Sequence, residues 1–298
     1  MHEVSVGVRG TSCTQMSDKK MCMEYGKRDN VMSKISNGIS DHARSLFQAL
    51  HADWAILSVL IPRTWRSKGK GGIFSLLWQV ATPLFLLAVY YCAFGMILNI
   101  RQDVKGIDYA LYMFSGMAFF NVFAESLQSG AHSIISRPGY VHNATFDLEV
   151  LPLTAVGCAF LTGLCWFAVV FAAAGTPPGL RLLYLPLVLI PFCAFCIGVA
   201  FFSGAISVYL RDFPQFAVLL QQGLFFLTPI VYPVSVIPPA YRSWIFLNPL
   251  TVFVEAFRAA VFDLPLERVG RIWIIGFSFC LSGVFFFHKT RKGFIDAV

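Results

Sequence analysis

Six stretches of this chain are long, apolar and nearly free of charge: residues 73–98, 109–131, 150–174, 182–208, 214–233 and 270–288. A bilayer core of about 30 Å is crossed by roughly 20 helical residues, and each stretch meets that length. Only 13% of the 298 residues are charged, against about 25% in an ordinary soluble domain. That supply of charge does not cover so large an apolar surface in water. The expected fold is an all-α membrane protein with six transmembrane helices. Pro83, Pro186 and Pro191 fall inside these stretches. Each frees a backbone carbonyl, which lipid tolerates only where a neighbouring helix or water satisfies it. The helices are therefore expected to pack as a bundle.

An even number of crossings leaves both termini on one side. The cluster Arg63, Arg66, Lys68, Lys70 and the tail Lys289, Arg291, Lys292 then share a compartment, which the positive-inside rule makes the cytoplasm. Residues 1–72 hold eleven Lys/Arg against six Asp/Glu, and so supply +5 of the net +7. These basic residues are scattered and no aromatic platform accompanies them, which argues against a nucleic-acid partner.

Residues 1–40 are polar, lack the apolar core of a secretory signal, and are expected to be disordered; Met32 is an alternative start. Residues 41–66 carry a pattern of a different kind. Across His42–Ile61, Leu46, Leu50, Trp54, Leu57 and Ile61 recur at helical spacing, predicting an N-terminal amphipathic helix that lies along the cytoplasmic membrane surface. Packing of this helix against protein is the competing reading. The remainder, 67–298, is the membrane domain. Within it, Ile237–Pro265 is apolar but interrupted by Pro238-Pro239, Asn248-Pro249 and Pro265. Neither of the pieces 239–247 and 250–262 is long enough to cross. A re-entrant helical hairpin before the last span is expected, with a helical hairpin on the outer surface as the alternative.

Chemistry-bearing motifs are scarce. The chain has no G-x-x-x-x-G-K-[ST] phosphate loop, no H-E-x-x-H and no G-x-S-x-G, so it is not read as an enzyme and no cofactor or metal is expected on it. Cys193 and Cys196 form a C-x-x-C within Pro-Phe-Cys-Ala-Phe-Cys-Ile-Gly, a setting for inert buried thiols. His132 and His142 are read as solvated. Ion-coupled carriers mark themselves with intramembrane charge; Glu125 is the main such residue here, so energy is expected from an ATPase on another chain. Glu255 and Arg258, three apart, share a helix face and pair, either as an outer gate or as a pin for the hairpin. Tyr90, Tyr91, Phe225, Phe226 and Tyr232 are among many aromatics near span ends. Most are expected to pack, face lipid or form interfacial belts; a minority line a path.

Several stretches in order resemble the type-2 ABC transporter permeases that export O-antigen, capsular polysaccharide and teichoic acid. They are Lys68-Gly-Lys-Gly-Gly-Ile-Phe-Ser-Leu-Leu-Trp78 with Pro83-Leu84, then Leu210-Arg211-Asp212, then Phe225-Phe-Leu-Thr-Pro-Ile-Val-Tyr-Pro233, then Leu247-Asn248-Pro249 and Glu255-Ala-Phe-Arg258. The resemblance runs from about residue 44 to the C-terminus. It implies a homodimeric channel in the bacterial inner membrane, worked by separate nucleotide-binding subunits that hold the ATP and Mg. It implies further that the segment Ser133–Glu149 carries a coupling helix resting on the ATPase, with Ser136, Arg137, His142, Asn143, Phe146 and Asp147 at that contact. Where the family has a basic pair and a Phe-Pro, this chain reads His142-Asn143 and Phe146-Asp147.

The expected function is export of a lipid-linked polysaccharide. Lys68 and Lys70 would attract its pyrophosphate. Trp78, Tyr90, Tyr91, Phe225, Phe226 and Tyr232 would line its path, and Asn248, Glu255 and Arg258 would close the outer side. The alternatives are a type-2 ABC permease for a small lipid or drug, and a membrane-embedded glycosyl- or acyltransferase. The latter requires convergent carboxylates at one membrane depth, which the sequence does not offer.

Overall fold

A computed structural model describes residues 56–67, parts of 81–97, 109–137, 139, 147–174, 181–262, 264–265 and 269–294. All of them belong to one compact unit, Ile56–Val298. Among the described residues every regular element is helical. We number them α1 (residues 56–67), α2 (Tyr109–Ser133), α3 (Val150–Ala174), α4 (Arg181–Tyr209), α5 (Phe213–Leu227), α6 (Pro239–Ile245), α7 (Pro249–Phe262) and α8 (Val269–Thr290). A π-helical segment, Tyr91–Ile97, precedes α2. It falls in the first expected span, most of which lies outside the described residues.

Four helices, α2, α3, α4 and α8, are long and apolar enough to cross a membrane. The bent pair α6 and α7 makes a fifth if it counts as one span. Helix α4 is the hub, touching α2, α3, α5, α7 and α8. It keeps Pro186 and Pro191 within an unbroken helix. Its tightest neighbour is α8. Gly198 lies against the backbone of Phe279 and Cys280, and Gly283 against the backbone of Gly198 itself. Absence of Cβ atoms at these two positions lets the helices meet main chain to main chain, the usual device for helix association in lipid. The outer face of α8 presents Ile274, Phe277, Leu281 and Phe285, apolar side chains suited to lipid.

Phenylalanine dominates the core. Phe119 of α2 stacks on Phe192 of α4 at 3.8 Å between ring centres and lies 4.9 Å from Phe257 of α7, which also meets Phe167 of α3. Phe253 of α7 touches both Phe192 and Phe195. Helix α7 is therefore buried among three long helices along most of its length.

Helix α5 is shorter than the expected span 214–233. It starts at the Leu210–Asp212 turn with Pro214 in its first turn and stops at Leu227. Thr228 precedes Pro229, and proline pushes the residue before it out of the helical region; Thr228 is extended at ψ 135°. Fifteen residues give about 22 Å of helix, short of a bilayer core. The expected surface helix runs further than its amphipathic pattern: 56–67 is helical through Pro62 to Ser67, while residues 41–55 lie outside the described ones. It packs on α3, where Trp65 Nε1 donates to Thr162 Oγ1 at 3.3 Å and Cys158 Sγ meets the Ile61 carbonyl at 3.6 Å.

Candidate functional site

Two polar clusters sit at opposite ends of the bundle. The first is built around Arg258 on α7, which is fully buried. The two N–H groups of its Nη1 are shared among Glu255 Oε1 (2.7 Å), the Tyr112 hydroxyl (2.7 Å) and the Pro229 carbonyl (2.6 Å); its Nη2 donates to the carbonyls of Ile230 (3.0 Å) and Tyr112 (3.1 Å). The guanidinium also lies 3.5 Å from the centre of the Tyr112 ring. A planar fork with five N–H donors is the side chain that serves acceptors on several sides at once. Tyr109, one turn before Tyr112 on α2, donates its hydroxyl to the Val231 carbonyl at 2.6 Å. The turn after α5 therefore has three successive carbonyls, 229 to 231, held by side chains of α7 and α2.

Asn248 closes the cluster from below. Its Oδ1 accepts from the Leu250 N–H at 3.0 Å, capping α7 ahead of Pro249, and its Nδ2 donates to Thr228 Oγ1 at 3.0 Å. The break between α6 and α7 turns the chain by 98°. Replacing Asn248 with Ala removes both bonds and is expected to cost about 1–2 kcal/mol. Thermal unfolding of the purified protein checks this, with Asn248→Asp retaining the cap and losing less.

The aromatics singled out in the sequence gather at this same end. Tyr91 lies 6.4 Å from Tyr109. Phe225 packs edge-on against Phe120 and Phe226. Tyr232 donates to the Phe226 carbonyl at 2.8 Å. Tyr91, Phe225 and Tyr232 are half-buried against the core, while Phe226 is exposed. On α5, Phe216, Leu219 and Leu227 are exposed with it, and only Pro214 and Ala217 are buried. Lys68, Lys70, Trp78 and Tyr90 lie outside the described residues.

The second cluster joins the ends of α2, α4 and α8 to the start of α3. Ile134, Leu148, Leu151, Phe201, Val208, Phe287 and Phe294 form a separate buried core there. Arg291, just past α8, reaches Glu149 at 3.2 Å and Asp147 at 3.6 Å, and His288 lies 3.6 Å from Glu149. Tyr209 at the end of α4 donates to the Thr290 carbonyl at 2.8 Å. Ser136 donates to the His132 carbonyl. A cavity of about 170 Å³ opens between α1, α2 and α3, lined in part by Thr64, His132, Ser136 and Arg137. His142, Asn143 and Phe146 lie outside the described residues.

Sequence spacing found the Glu255–Arg258 pair, but not Tyr109 and Tyr112, which look like ordinary span-end tyrosines. Nor did it find Glu149 as the partner of Arg291, which reads in sequence only as part of a basic tail. Among the described residues no three His, Cys, Asp or Glu side chains gather as metal ligands.

Comparison with known proteins points one way. The ABC-2 type transporter family model matches residues 56–262. The O-antigen export system permease protein RfbA of Klebsiella pneumoniae is 26% identical over 247 residues, 81% of this chain and 94% of its own length. A protein of that same name from Myxococcus xanthus is 26% identical over 261 residues, 85% of this chain and 99% of its own. Nodulation protein J of Rhizobium meliloti (strain 1021) is 25% identical over 233 residues, 74% of this chain and 86% of its own.

Proposed function

The chain belongs to the ABC-2 type transporter family, and from that premise we propose that it is the membrane permease of an exporter moving lipid-linked polysaccharide of the O-antigen or capsule kind out of the bacterial cytoplasm. The observation that carries this is similarity to O-antigen export permeases over nearly their entire length.

In this reading the permease is multi-pass in the inner membrane. It crosses six times, with α5 and the apolar non-helical stretch 228–233 together making the fifth crossing, has both termini cytoplasmic, and works as a homodimer with two copies of an ABC ATPase. ATP and Mg²⁺ are bound by that subunit and not by this chain. The Arg291 end of the bundle faces the cytoplasm, where the segment leading from Ser136 and Arg137 through His142, Asn143 and Phe146 to Asp147 rests on the ATPase. The glycan lipid approaches at Lys68 and Lys70, whose charge attracts its diphosphate.

The Arg258 end faces outward, and α6 with α7 is a re-entrant hairpin. Re-entrant backbone survives in a membrane only where protein or a water-filled cavity shields it; the burial of α7 among α2, α3 and α4 supports that placement. With the turn after α5 fixed by Arg258, the thinly packed body of α5 ahead of that turn is the wall that moves. Phe226, Phe225, Tyr232, Tyr91, Tyr90 and Trp78 supply flat apolar faces over which a long sugar chain slides, and Asn248, Glu255 and Arg258 hold the outer closure.

Deletion of the gene is expected to leave the polysaccharide inside the cell, and the double charge reversal Lys68→Glu/Lys70→Glu to reduce export severely. Surface glycan and its intracellular pool, measured together, check both. Undiminished surface glycan in the deletion strain rejects the reading.

A further inference from the structure

We propose that Arg291 is a positioning residue of the exporter, a latch that ties the start of α3 to the end of α8 so that force arriving through the 138–146 segment reaches the α4–α8 pair. The proposal rests on the functional reading above.

Four observations carry it. Arg291 bridges two carboxylates, Glu149 at 3.2 Å and Asp147 at 3.6 Å, where the chain leaves that segment and enters α3. The arginine is itself held in place: Phe287 and Phe294 on either side of it are fully buried and pack on each other at 5.3 Å, and the Tyr209 hydroxyl holds the Thr290 carbonyl. The charges also suit the helix ends that carry them. His288, Lys289 and Arg291 sit at the C-terminus of α8, and Asp147 and Glu149 at the N-terminus of α3. Each set complements its own helix dipole, and the two sets meet. Finally, α8 is locked to α4 through the glycine contact, so whatever moves Asp147 and Glu149 moves the hub of the bundle.

Half-exposed ion pairs add little to stability. The latch is therefore separable from folding, and its effect lies in coupling.

The test uses the complete permease–ATPase complex in proteoliposomes, loaded with lipid-linked polysaccharide isolated from the source cells. Glycan translocated and ATP hydrolysed are measured together. Arg291→Glu is expected to lower glycan moved per ATP by at least about fivefold, the lower end of what a coupling interaction carries, with little change in melting temperature. The charge-swapped double variant E149R/R291E is expected to regain much of the loss. An unchanged ratio in R291E, or a double variant no better than either single change, overturns the proposal. Amide hydrogen exchange at residues 148–151 gives a readout independent of cargo. Exchange is expected to quicken in R291E and to slow again in the double variant, and unchanged exchange also overturns the latch. If the wild-type complex hydrolyses ATP and moves no glycan, the exporter reading fails and the exchange data alone decide the latch. Should R291E not fold, R291Q takes its place with the same expected directions.

Discussion

Replacing Arg258 with Met is expected to cost about 2–5 kcal/mol, since each buried acceptor left without a donor costs about 1–3 kcal/mol. The change leaves the carbonyls of Pro229 and Ile230 without the donor that Arg258 supplies, and leaves Glu255 without its cation. Unpaired polar groups are dearest where water is absent. Lysine is expected to fare little better, since a single ammonium on a flexible stem does not span acceptors on three sides. Glu255→Gln is the mild control. That side chain is 31% exposed, and an amide oxygen still accepts from the guanidinium. Thermal unfolding in detergent, with the yield of folded protein, orders the variants as Met and Lys far below wild type and Gln close to it. A Met variant melting within about 2 °C of wild type, a shift worth roughly 1 kcal/mol in a chain this size, would show that the turn after α5 is held by something else.

Gly283→Val and Gly198→Val are expected to be comparably damaging by the opposite route. Overfilling a packed interior costs about 1–3 kcal/mol when neighbouring side chains give way. Here the obstacle is main chain: the new side chain at 283 meets the Gly198 backbone, and one at 198 meets Phe279 and Cys280. Backbone does not rotate aside, so α4 and α8 must separate along their length and the loss exceeds that range. Ala at either position already sets a Cβ against that main chain, so it too is expected to part the helices, by less than Val. Cysteine pairs placed across the α4–α8 contact and cross-linked in native membranes report the separation directly; full cross-linking in either Val variant would contradict the packing argument.

Local patterning made the long helices legible. The apolar runs at 109–131, 150–174, 182–208 and 270–288 each contain a helix of crossing length, because in lipid length and apolarity are nearly the whole requirement. The same patterning misplaced the end of α5. Apolarity continues through Thr228-Pro-Ile-Val-Tyr232, but a proline's effect on the residue before it is steric and invisible to hydropathy. The Glu255–Arg258 pair was legible as an i, i+3 contact. Its depth was not, because Tyr112 stands 146 residues away, and burial of α7 depends on phenylalanines contributed by three other helices. Arg291 reads locally as one more basic residue in a cytoplasmic tail. Only the tertiary meeting of a helix end with a helix start gives it a partner.

The glycine seam between α4 and α8 bears on how the protein is made. A ribosome releases Arg181–Tyr209 well before Val269–Thr290, with the whole of α5 to α7 in between. During that interval the seam on α4 has no second half, and only α8 completes it. A nascent chain stalled or cut before residue 269 thus leaves Gly198 and the α4 main chain around it without the helix that covers them.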